Sequence, residues 1–98
     1  MNEDNPHLPL METHLIIKGV VQGVSFRATT KHFADALHIK GYVRNLDNGS
    51  IYICITSGNV EKLIMQLKKA PPPIKIDSIE RRKVPLSDPC SSFEIRWC

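Results

Sequence analysis

The chain has 98 residues, 42% of them hydrophobic and 23% charged, which argues against a disordered polypeptide and leaves room for one domain with a single core. The formal net charge of +3 favours small anions, but the basic residues form no dense stripe of the kind typical of nucleic-acid-binding proteins. No run approaches the roughly 18 apolar residues that a membrane-spanning helix needs.

The N-terminal segment differs in composition from the rest of the chain. Residues 1–10 are acidic and interrupted by two prolines, whereas a secretory signal peptide needs a basic start followed by an apolar segment. We therefore expect residues 1–10 to form a flexible lead-in and residues 11–98 to form the folded domain. Met11 is an alternative start of the natural chain.

The three cysteines, Cys54, Cys90 and Cys98, follow no regular spacing. An odd number without a disulfide framework is typical of free thiols in a reducing compartment. We therefore predict a cytoplasmic protein. Cys54 lies in an apolar run and is interpreted as a core residue, whereas the spacing leaves open whether Cys90 and Cys98 pair.

The first half of the chain predicts a strand, a helix and a hairpin. The β-branched run from His14 to Val20 predicts the strand. Apolar residues at helical spacing from Phe26 to Leu37 predict the helix, with His38 in its last turn, where a partial positive charge suits the helix dipole. Two β-rich runs around Asn48-Gly49 indicate the hairpin, because this pair accepts the positive φ angles of tight turns.

The second half predicts a helix from Val60 to Leu67, ended by the prolines 71–73, and a strand from Ile74 to Val84. A loop rich in proline and serine leads to a last short strand, residues 93–97. The order is βαββαβ with a short extra C-terminal strand. Two helices on one face of a mostly antiparallel sheet bury one core, so we predict an α+β fold, a ferredoxin-like α/β sandwich.

The loop between the first strand and the first helix is a candidate anion site. The first amides of a helix have no partner within it, and the glycines at positions 19 and 23 allow successive amides to point into one concavity. The loop contains no acidic residue, and Arg27 opposes the helix dipole in the first turn, a conflict that a bound dianion would relieve. Taken alone, such a pattern more often marks a tight turn beside a solvated arginine.

Asn45 ends the predicted second strand just before the hairpin turn. Asparagine is a poor strand former, so a boundary position explains it without any function. Its amide could instead orient a water molecule, because it both donates and accepts hydrogen bonds. In the ferredoxin-like order, the first loop and the end of the second strand can meet at one edge of the sheet, which would bring Asn45 near Arg27.

The other polar and aromatic residues suggest no further site. The histidines have neither the spacing of metal ligands nor an accompanying acid, so no metal site is predicted. The four histidines are His7, His14, His32 and His38. Phe26, Tyr42 and Trp97 are interpreted as core or sheet-face residues rather than as platforms on which bases stack.

Two segments resemble the signatures of the acylphosphatase family. Residues 19–27, GVVQGVSFR, resemble the first signature, G-x-V-Q-G-V-x-F-R. Residues 41–51, GYVRNLDNGSI, resemble the second, G-[aromatic]-[small apolar]-[basic]-N-x-x-x-G-x-V. The order and spacing also fit. Ile51 replaces the usual valine, and the glycine that normally follows this motif is replaced by Ser57, which predicts an altered turn into the second helix.

The resemblance implies a hydrolase that needs no metal and no cofactor and that cleaves acyl phosphates such as acetyl phosphate, carbamoyl phosphate or 1,3-bisphosphoglycerate. It implies that Asn45 positions the attacking water and that Arg27 binds the phosphate with main-chain amides. The residues implied to supply these amides are Gln22, Gly23, Val24, Ser25 and Phe26.

The partners expected from this resemblance are a small acyl phosphate and inorganic phosphate, with no nucleic acid and no membrane, and a monomeric state. Two alternatives remain open from the sequence. One is a binding or regulatory module that kept the acylphosphatase fold. The other is an RNA-binding sheet, which is disfavoured because the strands lack paired exposed aromatic residues.

Overall fold

The computed structural model describes residues 10–97. The predicted lead-in lies outside the described residues except for Leu10, whose carbonyl oxygen accepts a hydrogen bond from the Leu86 amide at 2.9 Å. Cys98, and with it the pairing of Cys90 with Cys98, also lies outside them. No helix in the described part of the chain is both long and apolar enough to cross a bilayer.

Two helices and five strands build one mixed sheet with its strands in the order β4-β1-β3-β2-β5. The β2–β5 pair is parallel, and the other neighbours are antiparallel. The predicted ferredoxin-like α+β fold with a short extra strand is confirmed. The elements are β1 (Met11–Val20), α1 (Phe26–Ala36), β2 (Lys40–Asn45), β3 (Ile51–Ser57), α2 (Val60–Lys68), β4 (Lys75–Pro85) and β5 (Phe93–Arg96).

Strand alternation separates the two faces of the sheet, because successive side chains point to opposite sides. The isoleucines Ile51, Ile53 and Ile55 of β3 pack into the core with residues of both helices. The intervening residues, Tyr52 and Cys54, therefore lie on the face that carries no helix. We call this second side the open face.

The C-terminal end of α1 differs from the prediction. His38 is not in the last helical turn: the helix ends at Ala36, and His38 adopts a left-handed conformation with φ 58°. The amide of Ile39 donates to Ala34 O at 2.8 Å and that of His38 donates to Asp35 O at 3.1 Å, which is a Schellman motif. The turn lets Ile39, which is 2% exposed, enter the core directly before β2.

The turn from β3 into α2 is made by Gly58, with φ 123°. A Cβ atom at this position would lie 2.6 Å from Cγ1 of Ile39, so a side chain is excluded by packing as well as by conformation. Asn59 then caps α2, because its side chain accepts a hydrogen bond from the Lys62 amide at 3.1 Å. Ser57 itself remains the last residue of β3.

Candidate active site

The loop before α1 has the backbone conformation of an open helix N-terminus. Gly23 has φ 75°, and Ser25, the N-cap residue, has φ 62° and ψ 26°. The Ser25 side chain makes no capping hydrogen bond, and the first turn contains no acidic residue. The first amides of the helix are therefore left without a side-chain acceptor, and the positive end of the helix dipole favours an anion at this point.

The side chain of Gln22 fastens this loop to the β2–β3 hairpin. Its Nε2 atom donates to Leu46 O and to Ser50 O, both at 2.8 Å. Leu46 directly follows Asn45, so these two bonds hold the loop beside the end of β2. The sequence predicts only a main-chain role for Gln22. The clamp joins residues that are distant in the chain, so local sequence patterns carry no signal for it.

Asn45 is the last residue of β2, opposite Ile51 of β3. Its Oδ1 atom is buried and has no hydrogen-bond partner in the described part of the chain. A buried polar atom without a partner typically costs about 1–3 kcal/mol, so such atoms are few in native proteins. This oxygen therefore keeps its capacity to accept a hydrogen bond.

Arg27 and Asn45 line the same cavity, of about 220 Å³. This volume is several times the roughly 30 Å³ that one water molecule occupies in the liquid, so the cavity has room for a small anion and water. Gln22 and Val24 do not line it: Gln22 points to the hairpin, and Val24 packs against the core. The lining residues are Val21, Gly23, Ser25, Phe26, Arg27, Ala28, Asn45, Ile95 and Trp97.

Arg27 is held from one side and leaves hydrogen-bonding capacity on the other. Its guanidinium carbon lies 4.0 Å from the centroid of the Trp97 ring, and its Nη1 atom donates a long hydrogen bond of 3.5 Å to Arg96 O. Within residues 10–97 it forms no ion pair with a carboxylate. The planar fork can therefore receive an anionic ligand in two parallel hydrogen bonds.

Trp97 contradicts its interpretation as a core or sheet-face residue. It is 78% exposed, because β5 ends at Arg96 and the tryptophan lies beyond the last pair of the sheet. Its ring stacks on Arg27, a contact worth about 0.5–1 kcal/mol at an exposed site. The interpretation of Phe26 as a core residue is confirmed, since Phe26 is 1% exposed.

The open face carries a tyrosine pair and a histidine paired with an acid. Tyr42 is a sheet-face residue, as interpreted from the sequence, and its ring centroid lies 5.9 Å from that of Tyr52; both residues are half-buried rather than exposed. Arg96 lies over the ring of Tyr42 at 3.8 Å and Arg44 over that of Tyr52 at 5.1 Å, which covers the surfaces that bases would stack on. The expectation that the histidines lack an accompanying acid is wrong for His14, because its Nε2 atom lies 2.5 Å from Glu12 Oε2.

A larger cavity, of about 370 Å³, lies near the start of α2, and its charged lining residues are Glu61, Arg81 and Lys83. Its arginine, Arg81, is already paired with Glu61 at 2.5 Å. The only buried side-chain polar atom without a partner in the described part of the chain is Oδ1 of Asn45, a residue that lines the smaller cavity. The candidate site is therefore the cavity beside Arg27.

Comparison with known proteins finds relatives that share this fold and assigns the chain to a family. The fold and the loop define a ferredoxin-like α+β domain with a candidate anion site at the N-terminus of its first helix. The family model for acylphosphatase matches residues 13–95, and the acylphosphatase of Caldivirga maquilingensis is 36% identical over 90 residues, covering 89% of this chain and 95% of that protein. The chain belongs to the acylphosphatase family, and these relatives support an acylphosphatase enzyme.

Solved structures agree with this assignment. The crystal structure of the acylphosphatase from Bacillus subtilis superposes with a TM-score of 0.78 at 26% identity, covering 88% of this chain and 98% of that one. HypF of T. kodakarensis superposes with a TM-score of 0.73 at 30% identity, covering 86% of this chain but only 11% of that one. The same fold thus occurs both as a small protein and as a part of a much larger one.

Proposed function

We propose that this chain hydrolyses the carboxyl–phosphate anhydride bond of small acyl phosphates, giving a carboxylate and inorganic phosphate. In this proposal Arg27 and the amides of the loop before α1 hold the phosphoryl group, and Asn45 positions the water that attacks it in line. The observation that carries the proposal is that Asn45, whose buried Oδ1 has no partner in the described part of the chain, lines the same cavity as an arginine without a carboxylate partner.

Each group has a separate role in this chemistry. The water oxygen attacks phosphorus while the bond between phosphorus and the bridging oxygen breaks, and the electron pair leaves with the carboxylate. The water proton that is lost ends on phosphate or solvent. Because a carboxylate is a good leaving group, catalysis can depend on alignment and on stabilising the equatorial phosphoryl oxygens, without a strong general acid.

Arg27 suits the phosphoryl group better than lysine would. Its guanidinium group donates two parallel hydrogen bonds, whereas an ammonium group acts as a point charge. The stacking of Trp97 on one side of the guanidinium fixes its plane before the substrate arrives. Preorganisation of this kind reduces the entropy that binding must overcome.

The remaining parts of the proposal concern the setting of the enzyme. We propose that it acts as a cytoplasmic monomer on acetyl phosphate, carbamoyl phosphate or a similar small substrate, and that it needs no metal ion, no nucleic acid and no membrane. The size of the cavity supports a small substrate.

The second candidate function is a binding or regulatory module, and the likeness to a small part of HypF favours it. The release of inorganic phosphate from acetyl phosphate distinguishes the enzyme from the binding module. The purified wild-type protein and Arg27→Ala are assayed side by side in excess chelator. We expect the wild-type protein to turn over acetyl phosphate under these conditions and Arg27→Ala to show no turnover. Binding of phosphate without turnover would favour the module, and a rate that magnesium must restore would contradict metal-independent catalysis.

A further inference from the structure

Three side chains meet on the open face of the sheet, away from the helices. Glu12 and His14 are two residues apart on β1 and so point to the same side, and the β1–β3 register places Cys54 opposite His14. Nε2 of His14 lies 2.5 Å from Glu12 Oε2, and Sγ of Cys54 lies 3.5 Å from the same oxygen. All three ligand atoms lie within 4.8 Å of one another.

The sequence does not predict this cluster, because the β-branched run indicates a first strand that begins at His14. In the structure β1 begins at Met11, since residues 11 and 12 pair with Pro85 and Val84 of β4. The longer strand brings Glu12 into the sheet, where it is 6% exposed. A buried carboxylate thereby comes to lie beside an imidazole and a thiol.

The donor set is one that zinc prefers: an imidazole nitrogen, a carboxylate oxygen and a thiolate sulfur. In a tetrahedral site with ordinary zinc bond lengths, ligand atoms lie about 3.3–3.7 Å apart. The separation of Cys54 Sγ from Glu12 Oε2 already fits this geometry. The imidazole of His14 would have to move by about 1 Å from Glu12 Oε2 and to lie within about 3.7 Å of Cys54 Sγ, from which it is now separated by no more than 4.8 Å; its side chain is 25% exposed and has room to move.

The charges of the three ligands suit a divalent cation. Zinc binds cysteine as the thiolate, so binding here would release the proton of the Cys54 thiol. One thiolate and one carboxylate neutralise a divalent cation, which removes the cost of burying an unbalanced charge.

The surroundings support the ligands from a second layer. The Ser87 amide donates to the other oxygen of Glu12, Oε1, at 3.2 Å, which orients the carboxylate. His14 lines an outer cavity of about 220 Å³, from which water could supply a fourth ligand. Arg82 lies opposite His14 in the β1–β4 register, and a neutral complex limits its repulsion of the ion.

We propose that Glu12, His14 and Cys54 bind one zinc ion on the open face of the sheet, with water as the fourth ligand. The site lies on the face of the sheet opposite to the one that α1, the helix that carries Arg27, packs against. It joins β1 to β3. Zinc bound here would stabilise the fold without entering the hydrolytic step. The proposal is thus independent of the proposed function.

Cobalt(II) binding to the full chain tests this site, because tetrahedral cobalt with a thiolate ligand has intense visible bands and a charge-transfer band. We expect one such ion per chain, displaced by zinc. The bands should disappear in Cys54→Ser, and affinity should fall on the order of tenfold or more in His14→Gln. The matched controls Cys90→Ser and His32→Gln, which leave the three ligands intact, should bind as the wild type does.

A second measurement keeps the test valid if Cys54→Ser folds poorly. Zinc should raise the melting temperature of the wild-type chain by several degrees and that of His14→Gln by less at the same zinc concentration, since a ligand that binds the folded state stabilises it in proportion to its affinity. Phosphate release from acetyl phosphate should be the same with and without zinc. Absence of thiolate bands in the wild type, bands that persist in Cys54→Ser, or wild-type cobalt affinity in His14→Gln would overturn the proposal.

Discussion

The role of Arg27 in binding the phosphoryl group can be tested separately from its contribution to the fold. Arg27→Ala should abolish both turnover and competitive inhibition by inorganic phosphate, and Arg27→Lys should restore little, because the bidentate geometry is lost. The measurement is the inhibition constant of phosphate together with kcat and KM for acetyl phosphate. Arg44→Ala is a matched control, since Arg44 also stacks on an aromatic ring but lies on the open face. Ordinary phosphate affinity in Arg27→Ala would place the anion site elsewhere.

Asn45 should affect the rate without affecting binding of phosphate. Asn45 lines the cavity beside Arg27, and its side-chain oxygen makes no hydrogen bond within residues 10–97. Asn45→Ala should therefore lower kcat by on the order of a hundredfold, because a nucleophile misplaced by about 1 Å loses about that much. The inhibition constant of phosphate should stay within a few-fold of wild type, a split that marks a role in the transition state.

Asn45→Asp is the sharper variant of the same test. It keeps the shape of the side chain but removes a donor and adds negative charge beside an anionic substrate. We expect its kcat to be no higher than that of Asn45→Ala and its phosphate affinity to be lower. Near wild-type kcat in Asn45→Ala would leave this residue only the role of ending β2.

The loop before α1 acts as a unit whose shape depends on a positive φ angle at Gly23. The position is sterically open, so Gly23→Ala tests conformation alone. Alanine at this φ should lower the free energy of unfolding by about 1–2 kcal/mol. It should also turn the amide that follows, which should weaken inhibition by phosphate several-fold. The readouts are the melting temperature and the inhibition constant of phosphate.

Gly49 provides the matched control for this element, because it also has positive φ, 90°, with nothing within 4 Å of an added Cβ. Gly49→Ala should lower the melting temperature by a similar amount and leave the inhibition constant of phosphate unchanged. If the two variants change phosphate affinity equally, the loop amides do not form the anion site.

For the molecule as a whole, the domain boundary at residues 10 and 11 remains a prediction. A chain that begins at Leu10 keeps the hydrogen bond between Leu86 N and Leu10 O, whereas a chain that begins at Met11 loses it. One such bond contributes about 0.5–1.5 kcal/mol, so the shorter chain should melt a few degrees lower and both should turn over acetyl phosphate equally. A large loss of stability in the chain that begins at Leu10 would show that residues 1–9 contribute to the fold.

The sequence by itself determined the order of helices and strands, the hairpin at Asn48-Gly49 and the loop before Arg27. These features depend on local causes: the periodicity of apolar residues, turn chemistry and the free amides at a helix N-terminus. The family signatures cover the same segments, which is why the sequence alone indicates Arg27 and Asn45 as candidates.

Only the tertiary structure decided which distant residues meet. The stacking of Trp97 on Arg27, the clamp from Gln22 to the hairpin and the unpaired oxygen of Asn45 all depend on packing between elements. The cluster of Glu12, His14 and Cys54 depends on the length of β1 and its register with β3. A shift of one residue would turn these side chains to the other face, and that register is set by burial of the whole sheet rather than by any local segment.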